Sequence, residues 1–153
     1  MKKMKTTLAC GVVLILGMTA AGCQLFGPKI KPPTLQLASV KYASTGLTGA
    51  KLNIAFNVRN VNPTPLVVEN FRYELTMNDT ALGSGFYSTR MELAGMAEQK
   101  VTSVFDLGYL KMPAAVQSLF QQDKVQARVH CKFYLAGGQT LSYTTVADVS
   151  IEK

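Results

Sequence analysis

Lys51-Leu-Asn-Ile-Ala-Phe-Asn-Val-Arg59 decides the fold class. Leu52, Ile54, Phe56 and Val58 fall on one side of an extended chain, and Asn53, Asn57 and Arg59 on the other. Successive side chains of a strand point to opposite faces, so this period of two predicts a strand with one buried face. Phe71-Arg-Tyr-Glu-Leu-Thr-Met-Asn78 repeats the pattern, with Phe71, Tyr73, Leu75 and Met77 inward. Val125-Gln-Ala-Arg-Val-His-Cys-Lys-Phe133 repeats it again, with Val125, Ala127, Val129, Cys131 and Phe133 inward. Leu141, Tyr143, Thr145, Ala147, Val149 and Ile151 mark a more mixed closing strand.

Leu35–Tyr42, Gly85–Leu93 and Lys100–Leu107 read as weaker strands. Asn78-Asp79 and Gly137-Gly138 lie between alternating runs, where hairpin turns belong, and Gly46 and Gly49 bracket the connection after the first strand. One segment departs from this period. Met112 to Gln122 has Pro113 near its start and Val116, Leu119 and Phe120 at helical spacing, which predicts one short helix. The result is a mainly β domain of about seven strands and a short helix. Antiparallel strands with one polar face must bury the other against a second layer. That predicts an antiparallel β-sandwich of immunoglobulin-like or fibronectin-like kind, with a small closed barrel as the alternative. With no Trp in the chain, the core depends on Phe, Tyr, Leu, Val and Met.

The chain has 153 residues, room for one domain, and its 48% apolar and 16% charged content is globular. The formal charge of +7 raises nucleic-acid binding, but the positions of the charges argue against it. Lys2, Lys3 and Lys5 supply three of the sixteen basic residues, which leaves thirteen against nine acidic, a net of +4, after residue 22. No basic cluster interleaved with aromatics appears, so no nucleic-acid partner is expected.

The first thirty residues carry targeting information. A basic start is followed by an uncharged run centred on Val12-Val-Leu-Ile-Leu16, then by Thr19-Ala20-Ala21-Gly22-Cys23. A basic region, an apolar region and small residues form a secretory signal. The small residues before Cys23 resemble a bacterial lipobox, with Ala20 where such sequences prefer Leu. The resemblance implies a signal peptide over residues 1–22, diacylglycerol on the Cys23 sulfur and cleavage before it. Several acyl chains hold firmly, because each buried CH₂ contributes about 0.8 kcal/mol. Gln24 is the sorting position. By resemblance to lipoproteins of diderm bacteria, a residue other than Asp there implies the outer membrane, facing the periplasm. An uncleaved anchor and an ordinary cleaved signal are the alternatives, since the uncharged run from Thr6 to Pro28 is long enough to span a bilayer. Residues 23–33 contain Pro28, Pro32 and Pro33 and read as an extended tether. The folded domain is expected over residues 34–153.

Little in the sequence points to catalysis. His130 is the one histidine, placed outward beside Arg128 and Lys132, and its neighbour Cys131 points to the opposite face. No nucleophile–base pair, metal-ligand spacing or phosphate-binding loop can be assembled, so neither an enzyme nor a cofactor is expected. With Cys23 lipidated, Cys131 has no disulfide partner and reads as a small buried hydrophobe.

Asn57-Val-Arg-Asn60-Val-Asn62-Pro63-Thr64-Pro65-Leu66 ends the deciding strand. Pro63 and Pro65 donate no backbone hydrogen bond, so the ladder must stop there. Asn60 and Asn62 can satisfy backbone groups locally where it stops. Together with Tyr73-Glu-Leu75 and Leu82-Gly83-Ser84-Gly85, this stretch resembles the type 2 late-embryogenesis-abundant family, also called the water-stress and hypersensitive-response (WHy) domain. In that family an alternating strand ends in Asn-Pro-Asn, and an apolar strand with a late Tyr precedes a Leu-Gly-x-Gly element. Here Asn62-Pro63 matches and Thr64 stands at the third position. The resemblance implies a non-catalytic stress or desiccation protein that protects proteins or membranes. On the residues alone, a periplasmic binding or adaptor module for a lipid or a protein partner stays open.

Overall fold

In a computed structural model of the chain, residues 29–46, 49–108 and 121–152 are described. The leader, Cys23, Gln24 and the helix expected around Pro113 lie outside the described residues. Eight strands form β1 (Thr34–Thr45), β2 (Gly49–Arg59), β3 (Leu66–Met77), β4 (Thr80–Tyr87), β5 (Met91–Leu93), β6 (Glu98–Gly108), β7 (Lys124–Leu135) and β8 (Thr140–Glu152). The expected strand Gly85–Leu93 is divided: Phe86 and Tyr87 end β4, and Met91–Leu93 form β5 after a short break.

The expected pair of separate antiparallel sheets is replaced by one mixed sheet in the order β4-β3-β7-β8-β1-β2-β6, with β5 beside β3. All pairings are antiparallel except one. β8 meets β1 in parallel through Val40↔Ile151 and Lys41↔Glu152, and these two residue pairs join what would otherwise be two layers. The sheet is therefore rolled and nearly closed, closer to the barrel alternative. Its free edges, β4 and β6, face each other across a seam.

Bulges cause much of the rolling. Ala38 in β1, Glu69 in β3 and Leu82 in β4 each lack a ladder partner, as the register jumps at those points show. An extra residue bends a strand, increases its twist and shifts the phase of its inward face. In β3 the buried set passes from Leu66 and Val68 to Phe71, Tyr73, Leu75 and Met77 across Glu69.

The core fills the space inside the roll. Leu52, Ile54, Phe56 and Val58 are fully buried, as is the predicted inward face of β7. Phe56 on β2 meets Tyr73 on β3 edge-on at 4.9 Å, and Phe71 meets Phe133 at 5.6 Å. Aromatic pairs of this kind add about 0.5–1.5 kcal/mol each beyond the area they bury. The turn at Asn78 and Asp79 has φ of 43° and 62°, which suits a tight two-residue hairpin.

Candidate functional site

The polar groups that enter the interior cluster at two places. The first is the corner after β2. Asn60 is fully buried, and its Nδ2 donates to Thr64 O at 2.8 Å, Ala94 O at 3.1 Å and Leu93 O at 3.2 Å. Its Oδ1 accepts from the backbone and side-chain nitrogens of Asn62 at 2.9 and 3.0 Å. Asn62 in turn grips the incoming chain: Lys31 N donates to Asn62 Oδ1 at 2.8 Å, and Asn62 Nδ2 donates to Lys31 O at 2.9 Å. Met96 N donates to Asn62 O at 3.0 Å, and Asn60 N to Ala97 O at 2.9 Å. Two amides thus bind three segments: the residues before β1, the proline turn, and the loop from β5 to β6. Pro63 itself is exposed. Its carbonyl packs so closely on Gly95 that a side chain at 95 would overlap it.

The second place is the β4–β6 seam. Tyr73 OH and Ser103 Oγ lie 3.0 Å apart, and Ser103 Oγ donates to Phe86 O at 3.3 Å. The chain runs from β3 through β6 to β4 and bridges the gap where no ladder forms. Gly85 pairs with Tyr73, and a Cβ there would overlap the tyrosine ring. Gly83, at φ +133°, follows the Leu82 bulge. Burial pushes the Tyr73 hydroxyl above its ordinary range; the Ser103 hydrogen bond opposes this and nearby Cys131 adds to it.

On the outer face of β4, β3 and β7 lies a shallow depression lined by Arg72, Glu74, Ser84, His130, Lys132 and Tyr134. Arg72 stands directly opposite Lys132, and Glu74 opposite His130. The Arg72 guanidinium covers the exposed Phe86 ring at 5.4 Å, and His130 Nδ1 lies 2.8 Å from Thr144 Oγ1. These groups could attract an anion. Among the described residues no group of three or more His, Cys, Asp or Glu side chains is placed to hold a metal ion.

No family model matches the chain, and no curated protein matches it. Solved structures do. The solution structure of AT1g01470 from Arabidopsis thaliana aligns with a TM-score of 0.54 at 9% identity, over 88% of this chain and 93% of that one. The likeness is one of fold. Also similar are At2g46140.1, a candidate late embryogenesis abundant protein, with a TM-score of 0.48, 12% identity and coverage of 81% and 74%, and a protein from Archaeoglobus fulgidus with a TM-score of 0.47, 16% identity and coverage of 77% and 99%.

The sequence-predicted residues fall into two described clusters. Asn60, Asn62 and Pro63 meet at the corner, and Gly83 and Gly85 lie by the seam on β4. Cys23 and Gln24 lie outside the described residues. Cys131 is fully buried and free, and burial pushes its thiol far above the usual range. Sequence reading missed Ser103, Lys31 and Met96. Ser103 carried a signal: it is the polar member of an otherwise apolar inward set with Val101, Phe105 and Leu107. The part played by Lys31 carried none, because its backbone makes the contact.

Proposed function

We propose that this chain is a non-catalytic, lipid-anchored envelope protein of the type 2 late-embryogenesis-abundant kind, which protects neighbouring proteins or membranes under drying or related stress. One observation carries the reading: the residues of the family pattern are structural. Asn62-Pro63 closes the corner, Gly85 makes room for Tyr73, and Gly83 follows the bulge. The buried polar side chains among the described residues, Asn60, Asn62 and Ser103, are all engaged in hydrogen bonds within the fold. A scaffold so engaged offers neighbours a rigid polar surface rather than a reacting group.

The anchor rests on the resemblance of Thr19–Cys23 to a lipobox, with Gln24 directing the protein to the outer membrane. The test has two arms. Metabolic labelling with a fatty-acid analogue should mark the protein and fail to mark Cys23→Ala; labelling of that variant refutes the anchor. The purified protein, mixed with a drying-sensitive enzyme, should preserve more activity than an equal mass of inert protein. Equal preservation refutes the protective role. The depression beside Arg72 and Lys132 supports the second reading, a periplasmic adaptor for an acidic ligand, and an anionic lipid or acidic protein co-purifying with the chain would favour it.

A further inference from the structure

The geometry points to the end of the roll around Asn62 as a membrane-docking surface, where Met96 and Ile30 enter the acyl boundary of the bilayer and Lys29 and Lys31 lie on anionic headgroups. The identity of the membrane rests on the lipid-anchored reading; the surface itself rests on strand register, the placement of charge and the exposure of two apolar side chains.

Strand register brings four segments to this end. Thr34 pairs with Arg59, and Arg59 with Glu98, so the residues before β1, the proline turn and the β5–β6 loop lie together. Val68 pairs with Leu135, which adds the β7–β8 turn. Residues 61–65, 94–97 and 136–139 contain no charged side chain. The turns at the opposite end carry Asp79 and Asp123. The charges brought to the uncharged end are those of Lys29 and Lys31, both exposed and without an ion pair among the described residues. Of the acidic side chains nearest to it, Glu69 and Glu92 are bridged to Arg90, and Glu98 faces Arg59 on the ladder.

Two large apolar side chains stand out of this end. Ile30 is 37% exposed and Met96 54%. Both leave the fold beside Asn62, which holds Lys31 by its side chain and Met96 by its carbonyl. Met96 also has φ of +61°, a left-handed conformation uncommon for such a residue. Gly95, which could adopt it freely, is instead the residue pressed against Pro63. The turn therefore fixes an oily side chain outward at a conformational cost. Lysines beside apolar side chains suit an interface with anionic lipid, where charge attracts and apolar groups insert. Distance agrees. Lys29 lies six residues from Cys23, a reach of at most about 20 Å at full extension, so this end stays near the lipid whatever path the tether takes.

The chain has no Trp, so one introduced residue is a clean fluorescent reporter. The full-length protein carries Met96→Trp or Ile30→Trp. Val104→Trp and Val146→Trp, on outward positions in the wall at 56% and 50% exposure, are the controls. Each is mixed with vesicles of phosphatidylglycerol and phosphatidylcholine with brominated acyl chains, and co-sedimentation is read alongside quenching. The two end reporters should lose at least about half their emission, and the two wall reporters little. Lys29→Glu with Lys31→Glu should weaken that quenching in anionic vesicles. Protein that sediments with unquenched end reporters overturns the docking surface while leaving the anchor intact. Equal quenching of all four reporters overturns the end-on orientation. Quenching that persists in Cys23→Ala upholds the surface without the lipid, and a chain that neither sediments nor is quenched refutes both.

Discussion

Tyr73 and Gly85 are cross-strand partners, and the tyrosine ring occupies the space that a side chain at 85 would need. The ring cannot move aside easily: it is buried between Phe56, Phe71 and Phe105. Gly85→Ala should therefore destabilise the protein by about 1–3 kcal/mol, the usual range for overpacking a filled core. Combining it with Tyr73→Leu should cost less than the sum of the two single changes, because the smaller side chain removes the overlap. Urea titrations of the four proteins measure this; strict additivity would mean that the glycine is there for another reason.

The Tyr73–Ser103–Phe86 chain makes an asymmetric prediction. Tyr73→Phe removes one donor and leaves Ser103 bonded to Phe86 O, a loss of about 1 kcal/mol. Ser103→Ala leaves the buried tyrosine hydroxyl without its partner and should cost more, about 1–3 kcal/mol. The double variant should be no less stable than Ser103→Ala alone, since the orphaned hydroxyl is gone. Equal effects for the two single changes would show that the chain does not bridge the seam.

Strands that keep one phase throughout are the ones legible in the sequence. β2 and β7 alternate without a register jump, and their inward faces match the expected ones. β1, β3 and β4 each contain a bulge, so the inward set changes phase within one strand. This is why β1 reads as weak and why β3 is legible only from Phe71, although it begins at Leu66. Roll against sandwich is not legible, because it depends on the two parallel pairs Val40↔Ile151 and Lys41↔Glu152. Such long-range pairing leaves no periodic trace. At the corner, local rules foresee that Asn60 and Asn62 satisfy backbone groups. Those rules give partners close in sequence, such as Thr64, while Leu93, Ala94 and Lys31 are partners of tertiary folding.

The two corner asparagines should differ sharply. Asn60 turns one donor group toward three carbonyls inside the protein. Asn60→Asp keeps the shape and replaces that donor with an acceptor, so carboxylate oxygen faces carbonyl oxygen in a buried site. It should destabilise by roughly 3 kcal/mol or more, a large share of the about 5–15 kcal/mol by which a folded protein is usually stable. Asn62→Ala removes the grip on Lys31 and should cost about 1–2 kcal/mol, with faster hydrogen exchange at the Lys31 amide as its specific mark. An unchanged exchange rate there would place the hold on the tether elsewhere.

Cys131 predicts alkaline sensitivity with a definite sign. Its thiol ionises near 9.0 when unconstrained, and burial holds it protonated well beyond that in the folded protein. Above that pH the unfolded chain binds fewer protons than the folded one, so stability falls as pH rises, by at most about 1.4 kcal/mol per pH unit for this group. Tyr73, raised above its ordinary 10.0, adds a second decline at higher pH. Cys131→Ala removes the first titration and leaves the second. The variant should be less stable than the native protein at about pH 8, where it has only lost packing, and should then lose less stability on moving to about pH 10. Urea midpoints at the two pH values give the comparison directly, because the remaining titrating groups contribute to both proteins. Parallel declines would mean that the thiol is not shielded, and a thiol reagent would then modify it in the folded protein as fast as in urea.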